Sequence, residues 1–222
     1  LKKLDWDSIY VVYHPRVEAA RGDEFYFVLN DLLTELKDGH INYSTDGGGI
    51  VVPYIPQRSL KDRDAYSPFV VRKYFESELL LTKSKTTEYG ITSDNIGYIY
   101  LSTFGKKYLL DEFAGVINYL KNTKGLIIDL RNNTGGDLIN VMAVVSWFIT
   151  EPLEFPKIYY LGEQRETPLI QPQGYFTYTN AVVVLINGSS FSSAEIASEV
   201  FKQLINVTVI GDTTAGAAGS SS

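Results

Sequence analysis

The chain has 222 residues, 45% hydrophobic and 13% aromatic, enough apolar material for a sizeable core and too much for overall disorder. Its net charge is −6 and its longest basic cluster is Lys106–Lys107, which excludes the clustered cationic face that nucleic-acid binding needs. With no cysteine there is no disulfide, thiolate metal site or cysteine nucleophile, and no apolar run approaches the roughly 18 residues of a membrane helix.

In chain order, Asp5–Ala20 carries a weak amphipathic pattern interrupted by Pro15. Asp23–Lys37 is a stronger helix, because Phe25, Val28, Leu29, Leu32, Leu33 and Leu36 fall on one stripe and Asp38-Gly39 stops it. From His40 to about Thr103 the period shortens. Ile50-Val51-Val52, Phe69-Val70-Val71, Leu79-Leu80-Leu81 and Ile96–Leu101 read as strands between Gly, Pro, Asp and Ser turns, and Gly47-Gly48-Gly49 as a flexible loop. Beyond Phe104 the types alternate: helix over 108–121, strand 125–130, helix 137–149, strand 181–186, helix 192–204, strand 207–210. This alternation predicts an α/β fold with a largely parallel sheet. Glu151–Asn180, broken by Pro152, Pro156, Pro168 and Pro172, reads as an insertion of extended segments. The expected organisation is an N-terminal helical subdomain over 1–40, a β-rich connecting segment over 41–94 and an α/β core over 95–222. The chain starts at Leu1 without a signal peptide and ends in a Gly/Ala/Ser run just after a strand. Further sequence is expected at the C-terminus, and an earlier targeting segment is left open.

Three segments could carry chemistry. Ser192 lies in Gly188–Glu195, between the apolar strand Val182–Ile186 and a helix with Ile196, Ala197, Val200 and Phe201 on one face. A serine there sits at the carboxyl edge of the sheet, beside oriented helix N–H groups that suit an oxyanion. Ser192-x-x-Glu195 is equally a capping box, and on local sequence the capping reading is the stronger. Asp129–Asp137 holds Gly135-Gly136, which lets backbone approach a ligand closely, or merely joins strand to helix. His40 follows a helix end at Asp38-Gly39 and is a candidate general base or a structural histidine. One histidine and scattered acids define no metal-ligand set.

Together these segments resemble the C-terminal processing, or tail-specific, serine peptidase family. The order is an Asp38-Gly39-His40 segment, a strand ending Asp129-Leu130-Arg131-Asn132 with Gly135-Gly136, then Ser190-Phe191-Ser192-Ser193-Ala194-Glu195, then Val209–Gly216. Better-known members use a serine–lysine dyad, but Ala215-Gly216-Ala217-Ala218 stands where the lysine is expected. The chain is therefore more similar to the tricorn-core branch, which pairs serine with the histidine of the Asp-Gly-His segment. There a downstream Glu completes the set, expected here beyond residue 222. The PDZ module that many relatives insert is not recognisable.

The resemblance implies a ClpP/crotonase-like core of ββα units with an N-terminal helical subdomain. It implies Ser192 as nucleophile, His40 as general base, and the N–H groups of Ser193 and of Gly135 or Gly136 as oxyanion hole. Glu195 reads as a helix-start residue, and Asp38 is not assigned as the orienting acid. No cofactor or metal is implied. The implied substrate is a peptide or unfolded protein tail bound as an added strand, and a homo-oligomer is compatible with it. Exported and lipid-anchored members point to the periplasm or cell envelope. The alternative is a non-catalytic binding module for an apolar ligand or peptide on the same core.

Overall fold

The structure, a computed structural model, describes residues 4–57, 60, 66–105, 107, 109–160, 163–165, 168–173 and 175–216. It has two compact units, Leu1–Gln57 and Arg58–Ala218. The 41–94 segment of the sequence reading is thus divided between them.

The first unit contains α1 (Trp6–Ala19) and α2 (Glu24–Thr34). Asp5 caps α1 by accepting from Ser8 N–H at 3.2 Å. The interruption expected at Pro15 does not occur: α1 runs through it. A proline removes one N–H from the ladder, and α1 is secured against α2 by other means. Tyr13 O–H donates to Glu35 Oε1 at 3.1 Å, and Arg16 pairs with Asp31 at 2.5 Å. The chain leaves α2 through Lys37 at φ +47°. A small hairpin, β1 (Tyr43–Ser44) with β2 (Ile50–Val51), follows, its turn made by Gly48 at φ +77°.

The second unit is built on a six-stranded mixed sheet. In chain order its strands are β3 (Leu80–Leu81), β4 (Thr87–Ile91), β5 (Ile96–Leu101), β6 (Gly125–Asp129), β11 (Ala181–Ile186) and β12 (Val207–Gly211). The spatial order is β12-β11-β6-β5-β4-β3. From β5 to β12 neighbours are parallel, and β3-β4-β5 is an antiparallel meander. The intervening β7 (Leu153–Glu154) pairs with β10 (Leu169–Ile170), and β8 (Ile158–Tyr160) with β9 (Glu163–Arg165). These short antiparallel pairs are the extended insertion anticipated over 151–180.

Two local expectations are corrected. Phe69-Val70-Val71 is not a strand but lies in a short helix, α3 (Pro68–Arg72). Ser67 caps it through Val70 N–H at 3.4 Å, and Pro68 occupies the first turn, where its missing N–H costs nothing. Strand β4 was not anticipated. Its Gly90 breaks the apolar alternation because Leu79 packs over it, 2.7 Å from where a Cβ would stand.

Three helices cover one face of the sheet: α4 (Leu109–Leu120), α5 (Leu138–Val145) and α6 (Ser193–Phe201). Strand residues Leu126, Ile128, Val182 and Val184 meet Phe113, Ile117, Val141, Val144, Ala197 and Phe201 in one cluster. Each large side chain so removed from water contributes about 1.5–3 kcal/mol. Successive parallel strands joined through helices place the β6–α5 and β11–α6 turns side by side at the carboxyl ends of β6 and β11. Among the described residues no helix is long and apolar enough to cross a membrane.

Candidate active site

The two turns are joined by asparagines, Asn132 half-buried and Asn133 and Asn187 buried. Asn132, at φ +59°, donates its N–H to Asn187 Oδ1 at 3.0 Å, and Asn187 Nδ2 donates to Asn132 Oδ1 at 2.9 Å. Ser189 N–H also donates to Asn187 Oδ1, at 3.1 Å. Asn133 is fully buried; its Nδ2 donates to Leu101 O at 2.8 Å and its carbonyl accepts from Phe191 N–H at 3.0 Å. Ser190 Oγ, also fully buried, donates to Leu130 O at 2.8 Å. Below the turns, Asp129 has no exposed surface and accepts from Arg131 Nε at 2.9 Å, Arg131 NH2 at 2.6 Å and Tyr98 O–H at 2.8 Å. Burial, then the Asp129 charge, pushes the Tyr98 phenol well above the usual tyrosine range.

Ser192 has φ +56° and ψ −122°, a region that side-chain-bearing residues rarely occupy. Such a conformation costs about 1–3 kcal/mol and persists only where its surroundings over-determine it. Ser192 and Glu195 stand in a capping-box arrangement, yet the serine hydroxyl forms no side-chain cap hydrogen bond. The Glu195 N–H lies 2.9 Å from the Ser192 carbonyl, and Glu195 Oε2 accepts from Ser192 N–H at 2.9 Å. The carboxylate half of the box is the one that makes a full hydrogen bond, while Ser192, half-buried, stands on the Glu195 N–H side without completing one.

Gly135 packs against this serine, and Gly136 follows it against Phe104 and Gly105. At Gly135, φ +80°, a Cβ would lie 2.7 Å from Ser192 Cβ and 3.0 Å from Ser193 N. At Gly136, φ +140°, it would lie 2.1 Å from Gly105 N. Both positions need glycine, for space as much as for φ. The Gly135 N–H is committed to Asn133 Oδ1 at 2.8 Å, and its carbonyl accepts from Phe104 N–H and Thr103 Oγ1, each at 2.7 Å. The N–H groups of Gly136 and Ser193 donate to nothing among the described residues. Ser193 is the first residue of α6, where a helix leaves its N–H groups unsatisfied. Ser193 Oγ in turn donates to the Gly136 carbonyl, which ties the two positions together.

Of the residues singled out from sequence, Ser192, Ser193, Gly135 and Gly136 converge in the second unit. His40 belongs to the first, in a turn after α2. Its side chain is 20% exposed, and Asp38 Oδ1 lies 3.5 Å from His40 Nδ1 while accepting the His40 backbone N–H at 2.9 Å. Asp38, set aside on sequence, is thus placed against the ring. Ala217 and Ala218, where the lysine of other family members would fall, lie outside the described residues. Sequence reasoning gave no role to Asn133 or Asn187. Their signal was position, one two residues before the glycine turn and the other at the end of a buried strand. A separate cavity of about 520 Å³, lined by Phe75, Ile96, Tyr98, Ile127, Arg131 and Leu185 among others, does not include Ser192.

The molecule is an α/β protein whose candidate site lies at the carboxyl ends of two parallel strands. The family model of peptidase family S41 matches residues 95–222, more than half of the chain, and the chain belongs to this family. It is 30% identical over 125 residues to carboxy-terminal processing protease CtpA of Bacillus subtilis (strain 168), covering 55% of this chain and 26% of that protein. To CtpB of the same organism it is 28% identical over 144 residues, 63% of this chain and 29% of the relative. The chain thus spans under a third of the length of these relatives. Among solved structures, a candidate peptidase from Parabacteroides merdae ATCC 43184 matches with TM-score 0.79 and 24% identity, over 97% of this chain and 70% of that one. The photosystem II D1 C-terminal processing protease matches with TM-score 0.53 and 16% identity, over 96% and 76%. Both share the mixed α/β fold.

Proposed function

We propose that the protein is a serine peptidase in which Ser192 is the nucleophile, His40 the general base, and the N–H groups of Ser193 and Gly136 the oxyanion hole. The observation that carries this reading is the Ser192 backbone. A half-buried serine is held at φ +56° on a strand-to-helix turn, at the start of a helix whose Ser193 N–H is uncommitted among the described residues, as is that of Gly136, whose carbonyl Ser193 Oγ holds. Membership of a peptidase family supports the same conclusion.

The steps follow from the chemistry of each group. A serine hydroxyl is a weak nucleophile until a base takes its proton in the transition state. His40 accepts that proton as Oγ attacks the peptide carbonyl. The carbonyl oxygen becomes an oxyanion held by Ser193 N–H and Gly136 N–H, donors fixed before the reaction begins. Collapse expels the amine, which takes the proton back from His40, and leaves an acyl-enzyme on Ser192. Water, deprotonated by His40, then releases the acid. Asp38, against His40 Nδ1, suits the role of orienting the ring and fixing its tautomer. The substrate is a peptide or unfolded protein tail, laid along the sheet edge as an added strand.

A fluorophosphonate probe tests this directly. Labelling of the native chain that disappears in Ser192→Ala is the expected result. A folded chain that resists the probe overturns the reading.

A further inference from the structure

We propose that Glu195 is a positioning residue for the nucleophile, a clamp that joins the Ser192 turn to the segment after β12; the proposal rests on the assignment of Ser192 made above. A helix-start carboxylate needs only one partner, a backbone N–H of its own first turn. Glu195 has two. Oε2 accepts from Ser192 N–H at 2.9 Å, and Oε1 accepts from Gly216 N–H at 2.7 Å. Gly216 lies 21 residues further along the chain. The same segment makes a second bond to the turn, from Ala215 N–H to Ser190 O at 3.1 Å.

Glu195 is 5% exposed, so the carboxylate sits where an unmade hydrogen bond is costly and a made one is strong. Its place in the first turn of α6 also suits a negative charge. Two consequences follow for the site. Holding the Ser192 N–H fixes the peptide plane before the nucleophile, and with it the strained φ of +56° from which the hydroxyl projects. Engaging that N–H also withdraws it from any oxyanion, which leaves Ser193 and Gly136 as the donors. Through Oε1, the position of the Ala215–Gly216 segment is coupled to the orientation of Ser192.

The test uses the full chain with Glu195→Ala and Glu195→Gln beside wild type, reading peptide hydrolysis, fluorophosphonate labelling and backbone amide exchange. A misplaced nucleophile should lower kcat and the labelling rate about 100-fold in Glu195→Ala while KM stays within about twofold. Glu195→Gln keeps one acceptor for two donors and should recover part of the loss, to within about tenfold of wild type. Amide exchange at Ser192 and Gly216 should accelerate together in the alanine variant. Should the alanine variant not fold, the near-isosteric glutamine carries the same comparison. Unchanged labelling with a lowered melting temperature would reduce Glu195 to a helix cap and overturn the proposal. Unchanged exchange at Gly216 would overturn the clamp itself. If wild type does not label, the nucleophile assignment and the catalytic part of this proposal fall together, and exchange at Ser192 and Gly216 still decides whether the clamp exists.

Discussion

Asn132 and Asn187 bond each other twice across the carboxyl ends of β6 and β11: Asn132 N–H donates to Asn187 Oδ1 at 3.0 Å, and Asn187 Nδ2 donates to Asn132 Oδ1 at 2.9 Å. Neither turn is a regular element, and each holds half of the candidate site. The pair sets the spacing of Gly136 from Ser192 in a way that strand register alone does not, because register ends with the strands.

Replacing Asn187 by Ala should therefore damage both stability and site. It takes the Asn187 Oδ1 acceptor from the N–H groups of Asn132 and Ser189, which are half-buried, a cost of about 1–3 kcal/mol. The urea midpoint measures it, and fluorophosphonate labelling should slow in parallel. Asn187→Asp keeps the acceptor but sets a carboxylate oxygen against Asn132 Oδ1, so it should fall between wild type and alanine.

The glycines separate packing from propensity. In Gly135→Ala the new methyl meets Phe191 O and Ser192 Cβ at 2.7 Å, at a φ of +80° that alanine resists. A loss of more than about 2 kcal/mol is expected, with labelling abolished. Gly115, exposed within α4, has nothing within 4 Å of a built Cβ. There alanine should stabilise by about 0.5–1 kcal/mol and leave labelling unchanged, because only helix propensity alters. Thermal melts of the two variants make the comparison.

His40→Ala should lower peptide turnover by about 10⁴-fold or more if His40 is the base, since a triad member acts as part of a unit. The fold should survive, because the ring belongs to a turn rather than a core. Steady-state kinetics beside a melting curve measure both. Turnover close to wild type would remove His40 from the mechanism.

Alkaline stability should report the tyrosines around Asp129. Burial, and then the Asp129 carboxylate, raises Tyr98 well above the tyrosine range and Tyr100 to about 12. Tyr66, stacked on Tyr100 at 4.6 Å, is raised by burial first and by Tyr100 next. A raised folded pKa means that the unfolded chain loses its protons first. Stability from these groups is whole below about pH 10 and is lost as pH climbs from there towards and beyond 12, at up to about 1.4 kcal/mol per pH unit for each group. Urea titrations from pH 8 to 12 should show a plateau and then a fall, and Tyr98→Phe should make the fall shallower.

Much of the second unit was legible in advance. Periodicity located α4, β5, β6, β11, α6 and β12 to within a few residues, because these elements bury one helical face or a continuous apolar run. Phe69-Val70-Val71 misled, since β-branched composition suits a strand while the Ser67-Pro68 start decides for a helix. Strand β4 was hidden because its identity depends on Leu79 and β5 rather than on its own pattern.

The sequence by itself determined which residues could meet: the order of motifs put a serine, a Gly-Gly turn and a histidine into one family, and alternation put the first two at the same sheet edge. Only the tertiary structure decided how the atoms are shared. Asn133, two residues before Gly135, takes its N–H and leaves that of Gly136 uncommitted. Glu195, a helix-start residue in sequence, spends its second oxygen on Gly216. Those choices rest on hydrogen bonds across turns and between segments up to 60 residues apart, and such bonds leave no trace in local propensity because each side chain would be equally at home facing water.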